Sequence, residues 1–424
     1  MRRGRFSAVA GALLAFACGR GPGAPVLTLS GSAVGREADV VRGQLARFEA
    51  AHPPLQVRLR ATPDGADERR QLYVQWLNAH VPDPDVLQVD VIWTPEFAAA
   101  GWLLPLDSFG PDVADFLPAA VAANRWNGRL YALPWFVDVG MLYWRTDLMA
   151  AAPRDLDALA AEATRAVAAQ GAAAPSFGFV WQGARYEGLV TVFVEHLGAF
   201  GGAILDDQGA VVVDSEASVR ALTFMRDAIW TAHVVPPSVL TWQEEQVRFA
   251  FQNGQAAFMR NWPYAYALLR DGAESRVAGR FDVAPMPATA AGAPTAALGG
   301  SQLAINARTD QPAAAYALVS YLTAPEQMLE RARLAGQFPA RLAPYGTAAL
   351  DAALGLDTSA IRALIERAVP RPVTPVYSQL SDILQVRLHR ALSRQQAPRA
   401  ALAEAAVEMG RALHRAGLDA GGAP

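Results

Sequence analysis

Asp90 stands three residues before Trp93, Phe136 two before Asp138, and Trp262 two before Tyr264, so carboxylates and aromatic rings recur at short spacing. Side chains two apart on extended backbone point the same way. Phe136 and Asp138 therefore share one target, and Trp262 and Tyr264 can form one wall across Pro263. A carboxylate makes charge-assisted hydrogen bonds to hydroxyl groups. An indole or phenol ring covers weakly apolar C–H surface while keeping a polar tip available. A molecule with hydroxyls on its edges and C–H groups on its faces is a sugar, and its capture is the chemistry these residues suit. Each also has a plainer role. A lone Asp at a strand end commonly caps a turn or helix, and Trp135, Trp144 and Trp181 read as core.

The elements that must hold these residues alternate in type. Val26–Ser30 reads as a strand, 37–51 as a helix with Val40, Val41, Leu45 and Phe48 on one face, and Leu55–Arg60 as a second strand. A helix over 68–79 and a buried strand over 86–92, with Asp90 near its end, complete a βαβαβ run. Doubly wound sheets of this kind bind ligands beyond the C-terminal ends of their strands. Further along, 129–144 alternates as a strand around Pro134, 155–170 is an Ala-rich helix, and 177–181 is a strand. A buried helix over 186–200 is ended by Gly201-Gly202 in left-handed geometry. The pattern then predicts a helix over 241–253, a strand over 255–261, a loop over 287–294 and a strand from Gly299. The C-terminal third is helical, with 383–413 its longest stretch. A chain of 424 residues exceeds what one hydrophobic core usually serves, so two lobes are expected.

Several chemistries are excluded by residue type. There is no Lys, so a phosphate-binding loop with its Lys cannot form, and nothing points to ATP hydrolysis. The six His residues are scattered and Cys18 is the only cysteine, which leaves no zinc site and no internal disulfide. No nucleophile elbow is present. The net charge of −3, or −6 once Arg2, Arg3 and Arg5 are removed, offers no basic field to nucleic acid.

Those three arginines precede an apolar run, Phe6 to Ala17, that is too short to span a bilayer and has the layout of a secretory signal. Ala15-Phe16-Ala17 satisfies the small-x-small rule for ordinary cleavage. Leu14-Ala15-Phe16-Ala17-Cys18 also resembles a bacterial lipobox, in which the Cys thiol is acylated, although a lipobox usually has Leu where Ala15 stands. Gly19 to Pro25 reads as a flexible tether.

Longer motifs carry a family resemblance. Asp83-Pro-Asp-Val86, Asp90-Val-Ile-Trp93, the segment Phe97 to Leu106 and Tyr131-Ala-Leu-Pro-Trp-Phe-Val-Asp138 resemble the family 1 extracellular solute-binding proteins. So do Phe179-Val-Trp-Gln-Gly183 with Tyr186-Glu-Gly188, Ala257-Phe-Met-Arg-Asn-Trp-Pro-Tyr264 and Arg371-Pro-Val-Thr-Pro375. The trehalose/maltose-binding branch is the most similar, over nearly the whole chain after Val26. The resemblance implies an α/β, periplasmic-binding-protein-like fold of class II, its two lobes joined by about three crossings with an α-linked disaccharide between them. The implied division is a signal peptide over 1–17, a lipidated tether over 18–25, one lobe from 26–141 with 299–345, and another from 142–298 with 346–424. Carried over, Glu37, Asp90 and Asp138 would accept hydroxyl hydrogen bonds, Arg69 (or its neighbour Arg70) and Arg371 would donate them, and Phe136, Trp262 and Tyr264 would flank the rings. Gly300 and Ser301 would complete the site. The family often has Tyr at Phe136 and commonly has Trp at Ser301, so one hydroxyl and one platform are missing and the site has room for a larger or differently linked ligand. The implied protein is a monomer without cofactor or metal, exported to the periplasm or cell surface and anchored by lipidated Cys18. Its partners are the transmembrane subunits of an ABC importer with a separate ATPase. Two other readings remain open at this level. One is a glycoside-cleaving lipoprotein using Asp90, Asp138 and Glu187. The other is a binder of a different solute, such as a glycosylated polyol or a peptide.

Overall fold

The computed structural model describes residues 24–32, 35–169, 171, 174–289 and 296–418. Cys18, the leader and most of the tether lie outside these residues. Strands β1 (Val26–Gly31), β2 (Gln56–Ala61) and β3 (Val86–Asp90) run parallel, with β1 between the other two. The helices Glu37–Ala51 and Ala66–Asn78 are the crossovers, as the period of the apolar residues predicts. Val40, Val41, Leu45 and Phe48 are all buried beneath the first of them, each worth about 1.5–3 kcal/mol relative to exposure.

A short hairpin of β4 (Arg125–Trp126) and β5 (Arg129–Leu130) precedes β6 (Ala132–Val139) and β7 (Met141–Arg145). β8 (Phe177–Val180), β9 (Ala256–Asn261), β10 (Phe281–Pro285), β11 (Leu298–Ile305) and β12 (Phe338–Pro339) follow. They form two larger sheets: six strands in the order β12-β6-β11-β3-β1-β2, and four in the order β10-β7-β9-β8. Each sheet is the centre of one lobe. The chain passes from the first sheet to the second at Gly140, returns between Pro285 and Leu298, and leaves the first again after β12. The C-terminal helices then pack into the core of the second lobe through Leu380, Leu384, Leu402 and Met409.

The stretch 129–144 predicted as one strand is split at Gly140, where a Cβ would overlap the carboxylate of Glu195. Glu195 pairs with Arg260 (Nε–Oε2 2.8 Å) with both side chains fully buried, and its Oε1 also accepts the amide of Ala297 at 3.3 Å. One ion pair thus sits against two of the crossings. The helix predicted over 383–413 is two helices, Tyr377–Leu392 and Pro398–Arg415. Pro398 disfavours helical geometry before it and starts the second helix, while Arg394 turns the chain at φ +65°. Arg387 bridges the two by pairing with Glu404 and Glu408. The helix Glu216–Trp230 and strand β10 are absent from the sequence reading.

Candidate functional site

A cavity of about 330 Å³ lies between the lobes. Glu37, Arg69, Asp90, Phe136, Asp138, Trp262, Tyr264, Gly300, Ser301 and Arg371, the ten residues singled out in the sequence, all line it. Sheet register explains how the first lobe presents its share. On β11, Ser301 lies opposite Asp90 of β3 and Phe136 of β6, so three strands set these residues side by side. Gln302 then pairs with Pro134, leaving Trp135 as the extra residue of a bulge. Gly300 adopts φ +117° beside it, and a Cβ there would overlap the carbonyl of Phe136. On β6 the alternation holds: Phe136 and Asp138 face the cavity while Val137 is buried in the core.

The charged residues differ in how far the protein already occupies them. Glu37 accepts from Ser32 Oγ at 2.7 Å through Oε2, and from Gln88, Arg331 and Gln337 at 3.2, 3.1 and 3.4 Å through Oε1. Only Oε2 therefore keeps room for a further donor. Arg331, buried against the face of Trp135 at 3.8 Å, is pulled down to about 10 by burial against the opposing charge of Glu37. Asp90 caps its own turn, accepting from the amide of Ile92 at 3.2 Å, and pairs with Arg371 at 3.0 Å. The turn role and the site role thus coexist in one side chain. Arg371 also donates to Glu187 at 2.7 Å. Burial works against its charge, but Asp90 and Glu187 hold its pKa above the ordinary arginine value. Burial raises Glu187, with Arg371, Ser381 and Tyr377 opposing the shift.

Between the neighbours Arg69 and Arg70, the fold turns Arg69 to the cavity. It donates to the carbonyls of Pro63 and Asp64, both at 3.3 Å, and lies 5.3 Å over Trp93. Arg70 pairs instead with Glu96. The Asp138 carboxylate makes no hydrogen bond among the described residues. Burial, then the charges of Glu37 and Asp90, lift its carboxyl to about 7, against the pull of Arg260 and Arg331.

The second lobe supplies the aromatic wall. Trp262 has the guanidinium of Arg260 on one face at 3.8 Å and donates from Nε1 to Glu244 at 3.4 Å. Tyr264 donates to Glu245 at 2.7 Å, and burial followed by Glu245 and Glu244 holds its hydroxyl well above the usual tyrosine value. Ser301 Oγ accepts from Gln88 at 3.0 Å. Trp135, Trp144 and Trp181 are buried, as expected of core.

Sequence reasoning missed several parts of the lining: Ser32 with Gln88, the turn Asp64 to Ala66, Thr191, Gln337, and Gln243 to Gln246. The helix expected over 241–253 begins only at Glu244, after a 3₁₀ turn and an extended Trp242. Gln243 caps it, and its amide is held by Gln246 Oε1 at 3.0 Å. A Gln cap is a weak signal because Ser, Thr, Asp and Asn are the usual ones. Among the described residues no group of His, Cys, Asp and Glu is placed to hold a metal ion, and no helix is long and apolar enough to cross a membrane.

Comparison with known proteins shows the family and the fold. A family model for bacterial extracellular solute-binding proteins matches residues 35–329. A Deinococcus radiodurans protein described as a probable ABC transporter-binding protein is 36% identical over 409 residues, covering 94% of this chain and 96% of its own. The maltose-bound structure of MalE3 from Thermotoga maritima superimposes with a TM-score of 0.86 at 41% identity, over 91% of this chain and 99% of that one. The acarbose receptor GacH of Streptomyces glaucescens gives 0.82 at 25% identity, over 92% and 99%. These relatives are binding proteins, which removes the glycoside-cleaving reading. The chain belongs to the bacterial extracellular solute-binding protein family, as the solute-binding component of an ABC transporter and not as an enzyme.

Proposed function

We propose that this protein is an exported lipoprotein, anchored through Cys18, that captures an α-linked disaccharide or related glucoside of the trehalose/maltose type. Its ligand residues are the ten that line the cleft, and its lobes close on the sugar by hinge motion before docking on the permease. The observation that carries the reading is the meeting of Asp90, Asp138, Phe136, Trp262 and Tyr264 around one cavity between two lobes. At about 330 Å³ that cavity lies at the small end of the range for small-molecule sites, a size that suits a short saccharide. The likeness to a maltose-bound protein at 41% identity supports the same class. Ser301 in place of the family's Trp leaves the linkage open.

Calorimetric titration with maltose, trehalose and longer α-glucans tests the ligand class. Saturable binding of at least one, abolished by Asp138→Ala with the fold intact, is the expected result. Absence of binding across the panel overturns it. For the anchor, the wild type should fractionate with membranes and Cys18→Ala should appear in the soluble fraction.

A further inference from the structure

The cavity wall is unevenly charged. Arg371 is spent on Asp90 and Glu187, and Arg260, which lies over Trp262, is spent on Glu195. Two carboxylates on the wall, Asp138 and Glu244, form no ion pair among the described residues, and the two arginines whose charge reaches Asp138, Arg260 and Arg331, are already paired with Glu195 and Glu37. Asp138 and Glu244 flank one indole. Trp262 Nε1 donates to Glu244 at 3.4 Å. At the benzo edge of the same ring, a Cβ on Gly299 would lie 3.2 Å from Trp262 and 3.4 Å from Asp138 Cβ.

We infer that the site favours a sugar carrying a protonated amino group, its ammonium seated beside Trp262 against Glu244, with the negative charge of Asp138 towards the other edge of the same ring. This rests on the saccharide reading above and names the class of saccharide. An ionised carboxylate that loses water on ligand binding needs an opposite charge or strong donors in its place. An ammonium supplies both: it donates hydrogen bonds as a hydroxyl does and adds a full opposite charge that a hydroxyl lacks. The aromatic ring adds attraction for the same cation. A metal ion is a poorer occupant, because among the described residues these carboxylates belong to no group of three or more His, Cys, Asp or Glu that could hold one. Glu244 stands in the first turn of the helix Glu244–Gln252, on the cavity wall. Burial, then the like charges of Glu37 and Asp90, raise the Asp138 carboxyl, and a cation nearby offsets that repulsion.

The test is calorimetric titration of the full protein at neutral pH. The probes are maltose and trehalose, with analogues of each in which one hydroxyl at a time is replaced by an amine. At least one aminated analogue should bind about tenfold or more tightly than its parent, as one added charge-assisted contact implies, and that advantage should shrink as salt screens the charges. Glu244→Gln should bring the affinity ratio of analogue to parent close to one, with an unchanged melting profile showing the fold is intact. If the parent sugars bind and no aminated analogue binds more tightly, the inference fails while the saccharide reading stands. If neither neutral nor aminated sugars bind, both fail. A preference that persists undiminished in Glu244→Gln and in high salt also overturns the inference.

Discussion

The Asp138 carboxylate faces the cavity from β6 without a hydrogen bond, and on the proposed reading its pKa, pushed up to about 7, couples ligand capture to pH near neutrality. A hydroxyl donating to the carboxylate favours the charged form, so affinity for a neutral sugar should fall as pH drops below 7, approaching tenfold per unit where the carboxyl is mostly protonated. Titrations between pH 5.5 and 8 check this, and a flat profile would remove Asp138 from the hydroxyl-binding set. The same residue sets a stability trade-off. A carboxyl raised in the folded state binds more protons there than in the unfolded chain between the ordinary carboxylate value and 7, so stability falls as pH rises through that window. Asp138→Asn should therefore gain about 1–3 kcal/mol over wild type at pH 8 and little at pH 4, while losing sugar affinity. Denaturant titration at the two pH values reads the difference. Ser301 is a quieter position. Its hydroxyl is already bonded to Gln88 and its strand neighbours are Asp90 and Phe136, so an aromatic ring placed there would enter the cavity beside both.

At the scale of elements, the βαβαβ run was legible because helices and strands buried on one face announce themselves by period. The same logic exposed Phe136 and Asp138, since alternation on β6 fixes which side chains share a face. The rest depended on contacts remote in sequence. Nothing local foretells that Gly140 must leave room for Glu195, or that Pro398 splits the C-terminal helix just where Arg387 can reach Glu404 and Glu408. Gln243 to Gln246 stayed hidden because their helix starts later than its apolar pattern and is capped by Gln. Arg69 and Arg70 are indistinguishable by type, and only the helix phase turns one to the cavity and the other to Glu96. Gly140→Ala tests the crossing most directly. The added methyl displaces Glu195 from Arg260, and breaking a fully buried pair costs about 3–5 kcal/mol. A melting temperature within a degree or two of wild type would show that the crossing tolerates a side chain.

At the scale of the whole molecule, the two lobes are tied by polar bridges on both sides of the cavity. Arg371 joins Asp90 at 3.0 Å, Ser378 donates to Glu96 at 2.7 Å, the amide of Glu187 donates to Asp67 at 3.2 Å, and Arg36 meets Asp271 at 2.8 Å. These contacts cluster acids as well as neutralising them. Asp67 is lifted to about 7 by burial, then by the charges of Glu187 and Asp382, while the Glu187 amide and Gln385 pull the other way. Both like charges stand on the opposite lobe, so an arrangement that separates the lobes moves Asp67 towards the ordinary carboxylate value. The joined arrangement then binds the extra proton and is favoured as pH falls through 7, whereas protonation of Asp138, on the proposed reading, weakens sugar capture over the same range. The two effects separate by mutation. In Asp67→Asn the radius of gyration of the unliganded protein, measured by small-angle scattering, should be smaller than wild type at pH 8 and no longer change with pH. Sugar should compact the wild type further at pH 8, because only a ligand that touches both lobes gains from their closure. An Asp67→Asn protein that still expands as pH rises would place the repulsion elsewhere in the cleft, and no compaction by a sugar that binds would sink the hinge mechanism itself.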